Sequence, residues 1–491
     1  MMKVTLSSPG FSYDVHSLIK AFYPDEDIKI TSLAEDGLPE GCDIKIHVSS
    51  GDIGDDEHVS GTVTVTSRLS GECITTEEKY DNAVRAQVKS ILKRVLYDVL
   101  YRATDRTLPW GTMTGIRPTK VPMKMIREGC SDEQIEEHMR SVYLCSDEKI
   151  NLATAIAHRE KSVTDSIGED SFSLYVGIPF CPTTCMYCSF TSYPIASWSK
   201  RVGEYIGAVK RELDFFAGYY KGKKPASIYI GGGTPTTLSA DRLYDLLSYI
   251  RNVFDLSALF EFTVEAGRPD SITADKLDAL YRSGVDRISI NPQTMNENTL
   301  ELIGRRHSTE DVYRAFELSR AAGFDNINTD IILGLPGEDE EHVAYTLEKI
   351  KELAPDSLTV HSMAIKRAAG MGRFLDEHPG ILCKNTPAMM NMTAECAKDL
   401  GLVPYYLYRQ KNMAGNFENV GYAREGRYGI YNIVIMEEIS DIAAVGAGTI
   451  SKRVFGDGRI ERCDNVKDVS LYIDRIDDMI DRKKKLFCKG E

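Results

Sequence analysis

The 491-residue chain has no apolar run near the roughly 18 residues that a membrane-spanning helix needs. Its start, MMKVTLSSPGFSYDVHS, lacks the long apolar stretch and small-residue cleavage site of a secretory signal. Both absences point to a cytoplasmic protein. A basic surplus is missing too. The net charge is −14, which argues against a general nucleic-acid binder, because neutralising phosphates needs a basic surface. A local pocket of Arg and Lys for an anionic small molecule remains open, and the basic run 482–485 reads as a solvated end. There is no low-complexity tract, and no repeat beyond an alternation of strands and helices.

What is present is ordinary soluble-protein composition, 42% hydrophobic and 27% charged. A chain of this length suggests two or three domains, whose cores need no disulfides. Eleven cysteines occur, and eight of them are scattered singly, as reduced and buried cysteines are. Three cluster within eight residues.

Residues 1–170 read as an N-terminal α+β domain. Alternating apolar residues at 42–49 and 59–67 predict a strand pair around a polar turn. Helical spacing from Tyr80 to Val99 predicts a helix over 78–102. The Gly/Pro-punctuated LPWGTMTGIRPTK, with Trp110 and Arg117, reads as a packed loop. Helical stretches at 132–140 and 148–161 lead onward. From 173 the pattern turns regular: strands at 173–178, 226–231, 261–266, 287–291, 326–333 and 357–362 alternate with helices at 201–219, 241–254, 274–282, 310–322 and 338–351. That alternation implies an α/β fold of parallel βαβ units over 171–387, a partial (β/α)6 TIM-like barrel. Functional residues then collect in loops at the strands' C-terminal ends. Residues 388–491 read as an α+β extension covering the substrate. It has a helix near 388–400, an aromatic and amide-rich stretch, a strand-like run at 430–436, a turn at 445–449 and a final helix over 469–485.

The segment YVGIPFCPTTCMYCSF places Cys181, Cys185 and Cys188 directly after the first barrel strand. Thiolates are the usual iron–sulfur ligands, and three thiolates for four irons leave one iron open. Pro179 and Pro182 stiffen the loop's entry. A structural zinc site would need a fourth ligand and usually pairs C-x-x-C with a second, distant pair.

C-x-x-x-C-x-aromatic-C after a first barrel strand resembles the radical S-adenosylmethionine (SAM) superfamily. YVGIPFC, GGGTP at 231–235, IGRRH at 303–307 and DIILGLPGE at 330–338, in that order, resemble the oxygen-independent coproporphyrinogen III oxidase family, in its HemZ-type coproporphyrinogen dehydrogenase branch. The resemblance covers about 173–455. It implies a [4Fe–4S] cluster on Cys181, Cys185 and Cys188, with SAM on the open iron as source of a hydrogen-abstracting radical. It also implies that Gly232, Gly233 and Thr234 meet the methionyl part of SAM, where a side chain at the glycines would block backbone approach. Glu265, Gln293, Arg305 and Asp330 are the matching SAM contacts, and Tyr187 packs on the adenine side. Two positions depart from the family: Gly177 stands where it has His, and Phe190 where the coproporphyrinogen-oxidising branch has another Cys.

The implied reaction is oxidative decarboxylation of two coproporphyrinogen III propionates to vinyl groups, giving protoporphyrinogen IX in heme biosynthesis. Tyr175 and Arg409 are the candidate catalytic residues. Arg305, Arg306, Lys366, Arg367, Arg409 and Lys411 are candidate propionate anchors, since guanidinium binds carboxylate in bidentate fashion. The partners are then a tetrapyrrole and an electron donor for the cluster. The alternative is a heme chaperone of the same family that decarboxylates nothing, with His361, His307 or Met363 available to heme iron.

Overall fold

Runs of buried residues with little alternation form the strands of a parallel sheet, because both faces are covered. In the computed structural model, which describes residues 1–24, 26–32, 42–168, 170–364, 370–410 and 417–488, six such runs are strands. They are Phe172–Ile178, Pro225–Gly232, Glu261–Gly267, Arg287–Ile290, Ile327–Leu333 and Ser357–Ser362. They pair in chain order, every neighbour parallel. The helices Val202–Tyr219, Ala240–Val253, Ala274–Arg282, Thr309–Ala321 and Glu340–Leu353 connect them. Val209, Leu213 and Phe216 of the first helix join Phe172, Leu174, Ile228 and Ile230 in one core. Each such side chain contributes about 1.5–3 kcal/mol by leaving water. Because all six strands run the same way, the loops after them share one edge. This is the expected partial (β/α)6 barrel.

Residues beyond 387 extend the same sheet to eleven strands. Asp441–Val445 lies parallel to Phe172–Ile178 and carries the antiparallel strands Ile450–Val454 and Ile460–Asp464. At the other end Asn419–Ala423 pairs antiparallel with Ser357–Ser362, and Val403–Tyr408 pairs with it in turn. The strand-like run at 430–436 is instead the helix Ile430–Glu437. A short apolar run carries no decisive period, and here the buried Glu261 carboxylate accepts the Ile430 N–H, where negative charge favours a helix start. The final helix is two, Val469–Asp474 and Ile476–Phe487. They are tied down by a buried network in which Glu212 accepts from Lys483, Asn465 and Tyr472.

The chain packs as two units, 1–158 and 159–491, with the boundary inside the helix Asp147–Ser166. In the first, Ile28–Ser32, Met2–Leu6, Ile44–Val48, Val59–Ser67 and Ile74–Ala83 form one sheet in that order. The helix expected over 78–102 begins only at Arg85. Residues 74–83 instead pair antiparallel with Val59–Ser67, and this pairing overrides the helical spacing of Tyr80 and Val84. Trp110 is 2% exposed. The neighbouring Gly111 has φ 51°, and a Cβ there would lie 2.0 Å from the Tyr143 carbonyl oxygen. The loop is packed. Among the described residues no helix is long and apolar enough to cross a membrane.

Candidate active site

The first strand delivers the chain through Pro179 into the cysteine loop, which is fastened on three sides. Phe180–Cys181 pairs with Tyr193–Pro194. Backbone N–H groups of Gly233 and Thr234 donate to the Ile178 and Phe180 carbonyls at 2.8 and 2.7 Å. Across the loop, Met186 N–H reaches the Ile303 carbonyl at 3.0 Å, and Arg268 holds Thr183 at 2.6 Å. The result is a cleft of about 1120 Å³, open mouth included, at the C-terminal edge of the strands.

Cys181, Cys185, Cys188, Tyr187, Gly232, Gly233, Thr234, Glu265, Gln293, Arg305 and Asp330 all line it. Tyr175, Arg409, Arg306 and His307 do not. Tyr175 lies within a stack, 6.1 Å from the Tyr229 ring and 5.8 Å from that of Tyr431. Arg409 is buried between the lining residues Tyr408 and Gln410. Lys366, Arg367 and Lys411 lie outside the described residues. The cleft also contains Arg268, Asn291, His361, Tyr408 and Asn419. Of these His361, like Met363 beside it, was a heme-iron candidate of the sequence, while Arg268 and Asn291 were missed although they stand beside Glu265 in VEAGRP and Gln293 in NPQT.

Two carboxylates face the cleft with different electrostatics. Burial pushes Glu265 up to about 7, opposed by the Tyr229 hydroxyl it accepts at 2.5 Å and helped by the Asp330 charge. Burial also acts on Asp330, but His361, Asn328 and Thr359 hold it below the ordinary carboxylate value. The Arg305 guanidinium donates to Tyr187 at 3.0 Å and to the Asn291 carbonyl.

These residues fit a cluster and SAM. Burial pushes the Cys181 thiol up to about 11, so a thiolate there calls for added positive charge, which metal supplies. Among the described residues no three His, Cys, Asp or Glu groups converge on a single ion; a cubane takes each thiolate on a separate iron. The side-chain oxygens of Asn291 and Gln293 are buried without hydrogen-bond partners. Such orphaned acceptors are rare and call for an explanation. Gln293 also holds φ 73°, a backbone strain that favours functional sites. A Cβ on Gly233 would meet the Phe180 carbonyl oxygen at 2.6 Å, so this glycine serves contact with the cysteine loop itself.

The pattern of the radical SAM superfamily matches residues 175–350. The chain is 40% identical over 444 residues to an oxygen-independent coproporphyrinogen-III oxidase-like protein, HemZ, of Bacillus subtilis, spanning 88% of each. It belongs to that radical SAM family. Family membership brings a [4Fe–4S] cluster and SAM as cofactors. The chain also resembles the heme chaperone HemW of Escherichia coli, 30% identical over 59% of this chain and 72% of that one. Among solved structures, the coproporphyrinogen III oxidase HemN of Escherichia coli, described as a radical SAM enzyme, shares the fold. It has a TM-score of 0.50 and 24% identity over 66% of this chain and 73% of that one.

Proposed function

We propose that this family member oxidatively decarboxylates two propionates of coproporphyrinogen III, yielding protoporphyrinogen IX. The observation that carries the reading is one cleft holding three thiols, a glycine-rich loop, two carboxylates and two buried orphan acceptors. Cys181, Cys185 and Cys188 hold the cluster. Gly232, Gly233 and Thr234 offer backbone to the methionyl group of SAM, Glu265 its ammonium partner, and Arg305 a cation for its carboxylate. Asp330 accepts from ribose hydroxyls, with Gln293 beside it, and Tyr187 covers the adenine. When bound, these cofactors supply a radical that takes one hydrogen atom from each of the two propionate side chains. Each propionate then loses CO₂ and one electron to an acceptor, leaving a vinyl group.

Residues 388–491 cover the substrate in this reading, 171–387 form the catalytic barrel, and 1–170 are a separate α+β domain. Lys366, Arg367 and Lys411 are the propionate anchors of this reading, Arg409 braces the wall formed by its neighbours Tyr408 and Gln410, and the Tyr175 hydroxyl supports Gly232 from behind. All eleven cysteines are free, which supports a reducing, cytoplasmic setting. The acidic total charge gives no support for a nucleic-acid partner.

One observation favours a second reading, a heme chaperone: Phe190 is 71% exposed at the cleft mouth where the oxidising branch has a cysteine. An anaerobic assay separates the two. Reconstituted protein is given SAM, reductant and coproporphyrinogen III, and vinyl products are followed. Arg409→Ala should cut product formation on the order of a hundredfold through misplacement, while uncoupled SAM cleavage persists. A parent protein that binds heme tightly and leaves coproporphyrinogen untouched is a chaperone instead.

A further inference from the structure

Asp330 stands at the cleft and takes partners from its own strand and from the next. Asn328, two residues earlier, donates to Oδ1 at 2.7 Å. Oδ2 faces the next strand, where His361 Nε2 lies 3.7 Å away. His361 is itself one-quarter accessible and lines the same cleft. Its other ring nitrogen, Nδ1, lies 3.4 Å from the Tyr408 hydroxyl. Tyr408 ends the strand Val403–Tyr408 and immediately precedes Arg409.

The tautomer follows from the partners. A carboxylate only accepts, so the nitrogen facing Asp330 carries the hydrogen, and Nδ1 is left to accept from the Tyr408 O–H. Tyr408 thus sets the ring's orientation, and the ring helps fix the direction in which the Asp330 carboxylate offers its remaining lone pairs to a ligand. A carboxylate steadied on both oxygens by neighbouring donors keeps its charge and direction; partners of this kind outside the ligand contact routinely tune a site.

We propose that His361 is a positioning residue of the SAM site. It holds the Asp330 carboxylate in place and is itself held by Tyr408 of the substrate-covering strands. The proposal rests on the reading of Asp330 as a SAM contact and deepens it. It makes the C-terminal strands part of the SAM site.

The test is SAM affinity of the cluster-reconstituted protein, measured by equilibrium titration without any tetrapyrrole, so that the identity of the substrate does not enter. His361→Phe should weaken SAM binding about tenfold, the lower end expected when a group that orients a ligand contact is lost. His361→Gln, which keeps a donor, should recover most of that loss. On an Asp330→Asn background, His361→Phe should cost less than about twofold more, because its effect runs through Asp330. Iron content and melting temperature of each variant register whether it is folded and loaded. Losses that multiply in the double variant, or parent-like affinity in a folded and loaded His361→Phe, overturn the proposal. If Asp330→Asn binds SAM like the parent while His361→Phe does not, His361 contacts SAM itself, and both the positioning role and the reading of Asp330 fail.

Discussion

Glu265→Gln should stabilise the fold at neutral pH while damaging SAM binding. Burial raises this carboxyl from an ordinary 4.5 to about 7, so the folded state holds the proton more tightly than the unfolded one. Stability from this group is therefore full below about pH 4.5 and is lost as pH rises toward 7. At 1.36 kcal/mol per unit, the deficit above pH 7 is about 3 kcal/mol. Glutamine has the shape of the protonated acid and never bears the charge. It keeps an oxygen for the Tyr229 hydroxyl, which stands at 2.5 Å. The variant's advantage should open from under about 1 kcal/mol at pH 5 to about 3 at pH 8. At about 2.1 cal/mol/K per residue, a unit the size of 159–491 shifts by roughly 1–2 °C per kcal/mol, so the full effect is about 4 °C in melting temperature. Asp286, also raised to about 7 by burial, is present in both proteins and cancels from the difference. The assay is thermal unfolding of both proteins, without SAM, across pH 5–8. Melting temperatures that stay a constant distance apart would refute the argument that Glu265 is a buried charge kept for binding.

Replacing Cys181, Cys185 or Cys188 with Ala should each abolish iron–sulfur absorbance and SAM cleavage, whereas Cys42, Cys73 or Cys488 replacements leave both unchanged; full iron loading in any of the first three removes that cysteine from the ligand set. Lys483→Met strands the Glu212 carboxylate among Asn465, Tyr472 and the Gly446 N–H, and should cost about 3–5 kcal/mol in urea unfolding. A loss under about 1 kcal/mol would mean that the pair is hydrated. Gly233→Val should lower iron content as well as SAM affinity, because its Cβ meets cysteine-loop backbone at 2.6 Å; unchanged iron loading would show that the loop yields.

The barrel was legible because its signal is redundant. Each of six segments is short and buried, and an amphipathic helix follows each of the first five, so an error in one does not disturb the others. The segments misread were those with a single weak cue. ITTEEKYDNA is polar enough to pass for a helix start until its register with Val59–Ser67 is known. IYNIVIME has no period, and its helix start is held by Glu261, which lies 169 residues away. The cleft's upper wall was partly hidden for a similar reason. Tyr408 and Asn419 belong to no motif, and only strand pairing brings them beside His361 and Asp330.

By itself the sequence determined the local chemistry: three thiols at a spacing one loop can wrap, glycines where backbone must pass closely, and parallel βα units that send the following loops to one edge. These depend on residues near each other along the chain, where geometry leaves few choices. Tertiary structure decided the electrostatics. Glu265 is an ordinary acid until burial and the Asp330 charge act on it, and Asp330 is held charged by neighbours from two strands. It also decided that residues beyond 387 complete the same sheet, with antiparallel strands carrying Tyr408 and Asn419 into the cleft. Dielectric surroundings and strand registers are properties of contacts between distant segments, so only the folded chain possesses them.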